Sequence, residues 1–306
     1  MLVKLRHILE MIRFSHTVFA LPFALWSAVM AWQAPAEPPV VFRVRDLLGV
    51  VLCMVLGRSC AMAFNRLADA DVDARNPRTA RRHLPAGLLT RSSVRLFTTA
   101  CAAGFVGATS LFWPNPLPIV LSLPVLVFLC GYSYAKRFTS LAHFWLGTAL
   151  MLAPVCAWIA IRGQAVVADP RDVLPAVWLG LAVLMWVAGF DIIYACQDVD
   201  FDVKTQLRSI PARWGVASAL RLSAVCHLAM VGLLASLPFL HHAGAPRIAL
   251  DGLYLLGVAG VALLLMYEHS LVRPDDLTRV NVAFFHVNAV VSIGLFVLAT
   301  LDLFVV

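Results

Sequence analysis

Apolar residues run along this chain in long blocks, and each block is long enough to form a helix across hydrocarbon about 30 Å thick. Nine such blocks are predicted, at 15–33, 47–66, 93–112, 116–133, 141–161, 173–195, 216–240, 249–267 and 282–304. The pattern predicts an all-α, polytopic membrane protein built as a nine-transmembrane-helix bundle. Between the third and fourth blocks stands Trp113-Pro114-Asn115-Pro116, a tight turn that makes the two an antiparallel hairpin. The first block, Ser15 to Trp32, has basic residues ahead of it and small residues behind it, as a secretory signal would. Its length nevertheless reaches that of a spanning helix and no clear cleavage site follows, so it is expected to remain in the protein.

Composition agrees with the pattern. Hydrophobic residues make up 61% of the 306 and charged residues 13%, whereas a soluble domain is nearer half apolar and a quarter charged. No long polar segment interrupts the blocks, so residues 1–306 read as a single membrane-embedded domain. The net charge of +7 raises the question of nucleic acid, but the arginines crowd into alternate loops, which is a topology signal. Lys4, Arg6 and Arg13, the cluster from Arg66 to Arg95, Lys136 and Arg137, Lys204 to Arg221, and Arg273 and Arg279 all fall on one side. Arg43, Arg45, Arg162, Arg171 and Arg247 fall on the other. The expected setting is the cell's inner membrane, with the amino terminus and the charge-rich loops facing the cytoplasm and the carboxyl terminus outside. The seven cysteines form no CxxC pair and read as small buried hydrophobes.

Chemistry is concentrated in two acidic stretches. The second block runs into Asn65-Arg-Leu-Ala-Asp69-Ala-Asp-Val-Asp73, where Asn65, Asp69 and Asp73 are spaced to share one helical face and Asp71 points away. The sixth ends in Asp191-Ile-Ile-Tyr194-Ala-Cys-Gln-Asp198-Val-Asp-Phe-Asp202, which repeats that spacing with Tyr194, Asp198 and Asp202. Carboxylate oxygens suit Mg²⁺, which is typically held by one or two carboxylates together with substrate phosphates. Two such clusters facing each other would bind two metals with a diphosphate between them. Aspartates near helix ends can also merely cap or form a solvated face. That reading weakens for two matched clusters on apolar helices, because a carboxylate at membrane depth costs at least ~2.5 kcal/mol.

Cations accompany both clusters: Arg78 and Arg82 after the first, Lys136 and Arg137 after the fourth block, and Lys204 after the second cluster. They either bind diphosphate oxygens or serve only as topology determinants. Arg58 lies inside an apolar helix two turns before Asn65 and needs an anionic partner, either Asp191 or another carboxylate, or an acidic acceptor. Arg13 reads as a snorkelling interfacial residue. His16, His143, His227, His269 and His286 lack metal-ligand spacing and read as polar packing residues.

The stretch Asn65-x3-Asp69-x3-Asp73-x2-Asn76-x-Arg78-Thr79, with Arg82-x2-Pro85-x-Gly87, resembles the first signature of the UbiA superfamily of membrane prenyltransferases. Asp191-x2-Tyr194-Ala195-x2-Asp198-x3-Asp202 resembles the second, and Tyr134-x-Lys136-Arg137-x-Thr139 an element between them. His83 stands where many members have proline. The resemblance implies a lipid-accessible central cavity and Mg²⁺-dependent transfer of a prenyl group from a polyprenyl diphosphate. It implies that Asn65, Asp69, Asp73, Asp198 and Asp202 bind metal, that Arg78, Arg82, Lys136, Arg137 and Lys204 contact diphosphate, and that Asp191 and Tyr194 lie near the acceptor. Within the superfamily the chain looks most like the 4-hydroxybenzoate polyprenyltransferases of quinone biosynthesis and the closely similar enzymes of the futalosine route to menaquinone. His16-Thr-Val-Phe-Ala-Leu-Pro-Phe, Gly189-Phe-Asp-Ile-Ile-Tyr-Ala-Cys-Gln-Asp and Ser209-Ile-Pro-Ala-Arg look like the second group. The implied acceptor is an aromatic acid, attacked by the allylic cation at a ring carbon beside a hydroxyl. A secondary transporter would instead show Gly- or Pro-broken helices at midplane in corresponding halves.

Overall fold

The computed structural model describes residues 2–12, 19–280 and 283–305. Among these there is no strand, only an isolated bridge between Arg273 and Asp276. Eight helical stretches, of 19 to 35 residues, are long and apolar enough to cross a membrane, and the chain is a multi-pass membrane protein. They are built on α3 (Val44–Ala68), α5 (Arg91–Thr109), α6 (Leu117–Gly131), α8 (Ala142–Ala168), α9 (Leu174–Ala195), α12 (Val216–Ser236), α13 (Gly252–Ser270) and α14 (Asn288–Val305). Short helices complete the chain: α1 (Leu2–Met11), α4 (Ala70–Arg75), α7 (Ala135–Phe138), α10 (Val199–Lys204) and α11 (Ile210–Trp214). The first of the nine predicted spans is represented by α2 (Leu21–Gln33), whose 13 residues are shorter than a full crossing. Arg13 and His16, which belong to that region of the sequence, lie outside the described residues.

Helix α9 is the axis of the core. Pro175 sits in its first turn, where the missing N–H costs nothing, and Val183, Trp186, Val187 and Ile192 are fully buried along it. It packs between α8 and α12. Close approach is secured by glycine on each side. A Cβ on Gly147 of α8 would come within 2.5 Å of the Leu184 carbonyl oxygen, and one on Gly189 within 2.3 Å of the His227 ring. Without a hydrophobic force between helices in lipid, such small-residue contacts are what let helices associate. Side chains of α2, α13 and α14 join the same core cluster. On the other side, α3, α5 and α6 meet in a smaller cluster around Cys60, Cys101 and Leu126. All seven cysteines are free thiols.

The predicted turn between α5 and α6 is present and has a second use. Asn115 accepts from the Leu117 N–H through Oδ1 and donates through Nδ2 to the carbonyls of Ile159 and Ala160, at 2.8 and 2.9 Å. It thereby ties the hairpin to α8.

Arg162, which the charge pattern puts in an external loop, is instead buried inside α8 and only 2% exposed. Its guanidinium donates to Asp172 through Nη2 at 2.6 Å and to the carbonyls of Ala31, Ala34 and Pro35. Those carbonyls belong to the last turn of α2 and the residues just past it, where a cation complements the helix dipole. Trp158 shares Asp172 through its indole N–H.

Removing one partner of such a pair leaves a buried charge uncompensated. Arg162→Leu is therefore expected to destabilise the purified protein by about 3–5 kcal/mol, read as a fall in thermal unfolding temperature in detergent. The double change with Asp172→Leu should recover most of the loss.

Candidate active site

Each acidic motif is a helix, a break, and a six-residue helix. Helix α3 ends at Asp69, whose φ of −97° and ψ of 2° leave the α region, and α4 follows at once. On the other side of the molecule Asp198 has φ −104° and ψ 8°, and α10 follows. Both aspartates occupy the sparsely allowed bridge region in which active-site residues are often found. The second aspartate of each motif, Asp73 or Asp202, falls on the fourth residue of its short helix and is buried, at 6% and 3% exposure. The predicted spacing survives the break, because the Asp69 N–H donates to the Asn65 carbonyl at 2.9 Å and the Asp73 N–H to the Asp69 carbonyl at 2.7 Å.

The two motifs face each other across a gap closed by charge. Arg78 binds Asp198 through Nε at 2.8 Å and through Nη2, and donates from Nη1 to the Tyr194 hydroxyl at 2.9 Å. Asn76 adds a contact to the same carboxylate at 3.4 Å. Arg82 donates to both oxygens of Asp73, at 2.7 and 2.8 Å. Asp69 accepts from Asn65 at 2.9 Å and from Arg137 at 3.4 Å, while Arg137 also donates to the Ala68 carbonyl and lies over the Tyr134 ring. Burial pushes the Asp69 carboxyl above its ordinary range, and the neighbouring charge of Asp73 pushes it further. Asp202 keeps one buried oxygen, Oδ2, with no partner among the described residues.

These groups line one end of a cavity of about 440 Å³. The wall continues along α3 to Val50, roughly 28 Å from Asp69 at 1.5 Å per residue, and includes Phe105, Thr109 and Phe112 of the α5 side and Leu121, Val125 and Leu129 of α6. One end of the cavity is thus ionic and the rest is almost wholly apolar. Asn65, Asp69, Asp73, Arg78, Arg82, Lys136, Arg137, Asp191, Tyr194, Asp198 and Asp202 all line it, and so does Arg58.

The structure sharpens the sequence reading at three of the singled-out residues. Lys204 is exposed and is not part of the cavity wall. Of the alternatives open for Arg58, pairing with Asp191 is not the one found, and its Nε is buried with no partner among the described residues. Asp191 instead bonds His143, Nδ1 to Oδ2 at 2.7 Å. His227 and His269 bond one another at 3.0 Å, away from the cavity wall. Tyr132 and Arg66 also line the cavity, and the sequence offered no sign of this beyond their place in or next to the motifs.

The model of the UbiA prenyltransferase family matches residues 20–290. The chain belongs to that family. It is 30% identical over 268 residues to a 4-hydroxybenzoate octaprenyltransferase of Vibrio cholerae, covering 87% of this chain and 86% of the relative. It is 30% identical over 286 residues to one of Aromatoleum aromaticum, covering 92% and 86%. Among solved structures, an apo UbiA homologue from Aeropyrum pernix K1 superposes with a TM-score of 0.80 at 31% identity, over 94% of this chain and 98% of that one. A UbiA homologue from Archaeoglobus fulgidus bound to DMAPP and Mg²⁺ shares the fold, with a TM-score of 0.70 at 17% identity over 98% and 99%.

The geometry separates the cations. Lys136 lines the cavity, is half-buried and forms no ion pair among the described residues, whereas Lys204 faces outward. In membranes supplied with radiolabelled geranyl diphosphate, Lys136→Ala is expected to weaken diphosphate binding at least tenfold, and Lys204→Ala by less than about twofold.

Proposed function

We propose that this protein transfers a polyprenyl group from an allylic polyprenyl diphosphate to an aromatic acid of the 4-hydroxybenzoate type, in quinone biosynthesis at the cytoplasmic face of the inner membrane. One observation carries the reading. A single cavity joins an ionic end with carboxylates from two facing motifs to a long apolar interior, which is the shape of a molecule with a diphosphate head and a hydrocarbon tail. The names of the relatives from Vibrio cholerae and Aromatoleum aromaticum support the acceptor.

The ionic end fits Mg²⁺. Its donors are hard oxygens from Asn65, Asp69, Asp73, Asp198 and Asp202, and a buried oxygen of Asp202 lacks a partner. Among the described residues no three acidic, histidine or cysteine side chains converge on one point as a closed metal cage. Mg²⁺ is typically held by one or two carboxylates, with the substrate's phosphate oxygens completing its shell. Bound there, Mg²⁺ would neutralise charge on the diphosphate and make it a better leaving group.

The chain's own residues do the rest. Lys136, Arg78, Arg82 and Arg137 bind the diphosphate oxygens, the guanidiniums as planar forks. The allylic C–O bond breaks towards this cationic end. The apolar wall from Val50 to Leu129 holds the prenyl chain and keeps out water that would quench the cation. Arg58, which lines the cavity and forms no ion pair among the described residues, binds the acceptor's carboxylate, and Tyr194, held by Arg78, borders the acceptor on the diphosphate side. Attack by the ring carbon beside the hydroxyl forms the new C–C bond, and the ring proton then leaves.

Asp69→Ala and Asp198→Ala are each expected to lower prenyl transfer by at least a hundredfold in membranes with Mg²⁺. Full retention of activity in either would overturn the reading. The acceptor is decided by offering 4-hydroxybenzoate and naphthoate-type acids with geranyl diphosphate and identifying the product. Arg58→Ala should raise the KM for the aromatic acid at least tenfold while leaving that for geranyl diphosphate within about twofold.

A further inference from the structure

His143 is a fully buried ionisable side chain that touches the cavity wall from behind, through Asp191. It is 0% exposed and does not line the cavity itself. Its two ring nitrogens are both engaged. The backbone N–H of Ile210 points at Nε2 at 3.4 Å, so Nε2 is the accepting nitrogen. The proton therefore sits on Nδ1, which donates to Oδ2 of Asp191 at 2.7 Å. Asp191 is 15% exposed in its side chain and lines the cavity. Its other oxygen, Oδ1, has no hydrogen-bond partner among the described residues.

We propose that His143 is a positioning residue for prenyl transfer: it fixes the Asp191 carboxylate so that Oδ1 accepts the hydrogen bond of the acceptor's ring hydroxyl. The inference rests on the aromatic-acid reading above. Three observations lead to it. Asp191 lies about 10 Å along α9 from Asp198, seven residues at 1.5 Å each, so it borders the part of the cavity next to the diphosphate end rather than the end itself. An anionic carboxylate there repels the acceptor's own carboxylate and attracts its only donor, the hydroxyl. Arg58, on the facing helix α3, offers the complementary group for the acid end.

The arrangement orients the ring and activates it. A hydroxyl that donates to a carboxylate carries more electron density, and that density appears at the neighbouring ring carbon, where the new C–C bond forms. No bond is made or broken at Asp191 and the hydroxyl keeps its proton. The histidine's part is geometric. With Nδ1 removed, the carboxylate can rotate about its Cβ–Cγ bond and turn Oδ1 away from the cavity, and a positioning group matters because misplacement of about 1 Å costs rate steeply.

The test uses the full-length protein with geranyl diphosphate, 4-hydroxybenzoate, and 4-methoxybenzoate as a competitive ligand that has no hydroxyl proton. His143→Ala is expected to lower kcat about tenfold, to leave the KM for geranyl diphosphate unchanged, and to erase about tenfold of preference for the hydroxy over the methoxy acid. His143→Asn, which presents an amide N–H near the Nδ1 position, should restore both to within about threefold. His143→Leu keeps the volume without the donor and stands in for the alanine variant should that not fold. Unchanged kcat and unchanged ligand preference in the donor-less variants would overturn the proposal. So would equal weakening of both acids and of geranyl diphosphate that Asn does not rescue, since that marks a packing role. If the wild-type protein prenylates no aromatic acid, the function reading fails instead, and the two failures are told apart by that control.

Discussion

Charge placed beside hydrocarbon must find a partner, and in this protein one pair answers that demand across most of the fold. Arg78 follows the first acidic motif and closes on Asp198 in the second, 120 positions later. The pair joins the end of α3 to the end of α9, and with Tyr194 it fixes where the loop after α4 can lie. Since α9 is held by α8 and α12 through glycine contacts, the Arg78 guanidinium, with Asn76 beside it, ties the first motif to the core. The apolar interior of the cavity begins where this ionic frame ends.

Much of the site was legible because helical spacing and apolar length are strong signals. Asn65, Asp69 and Asp73, and Tyr194, Asp198 and Asp202, lie together at one end of one cavity, as their repeat suggested. Other features were not legible. The breaks at Asp69 and Asp198 depend on backbone torsions that no residue type there dictates, neither glycine nor proline being present. His143 looked like any polar residue in an apolar block, and only the fold brings it against Asp191, 48 positions away. Lys204 shared its neighbourhood in sequence with Asp202, yet the turn of α10 sends it outward while Asp202 is buried.

The contrast between Arg58 and Arg162 shows why sequence cannot rank buried cations. Both lie inside long apolar helices. Arg162 is saturated by a carboxylate and three carbonyls, so its role is closed within the fold. Arg58 lines the cavity and makes no ion pair among the described residues, so its guanidinium is available to a ligand. The difference lies in what surrounds each one, and the surroundings come from elements far away in the chain.

The pairing of Arg78 with Asp198 and of Arg82 with Asp73 has a further consequence, which concerns selection among anions. Each of these two guanidiniums holds a carboxylate, and turning to a phosphate would leave that carboxylate in need of another cation. An anion that arrives alone must compete with an aspartate for either of these two arginines. One that arrives with its own countercation offers both sides a new partner at once. At these two arginines a guest that brings its own countercation is favoured over a bare anion.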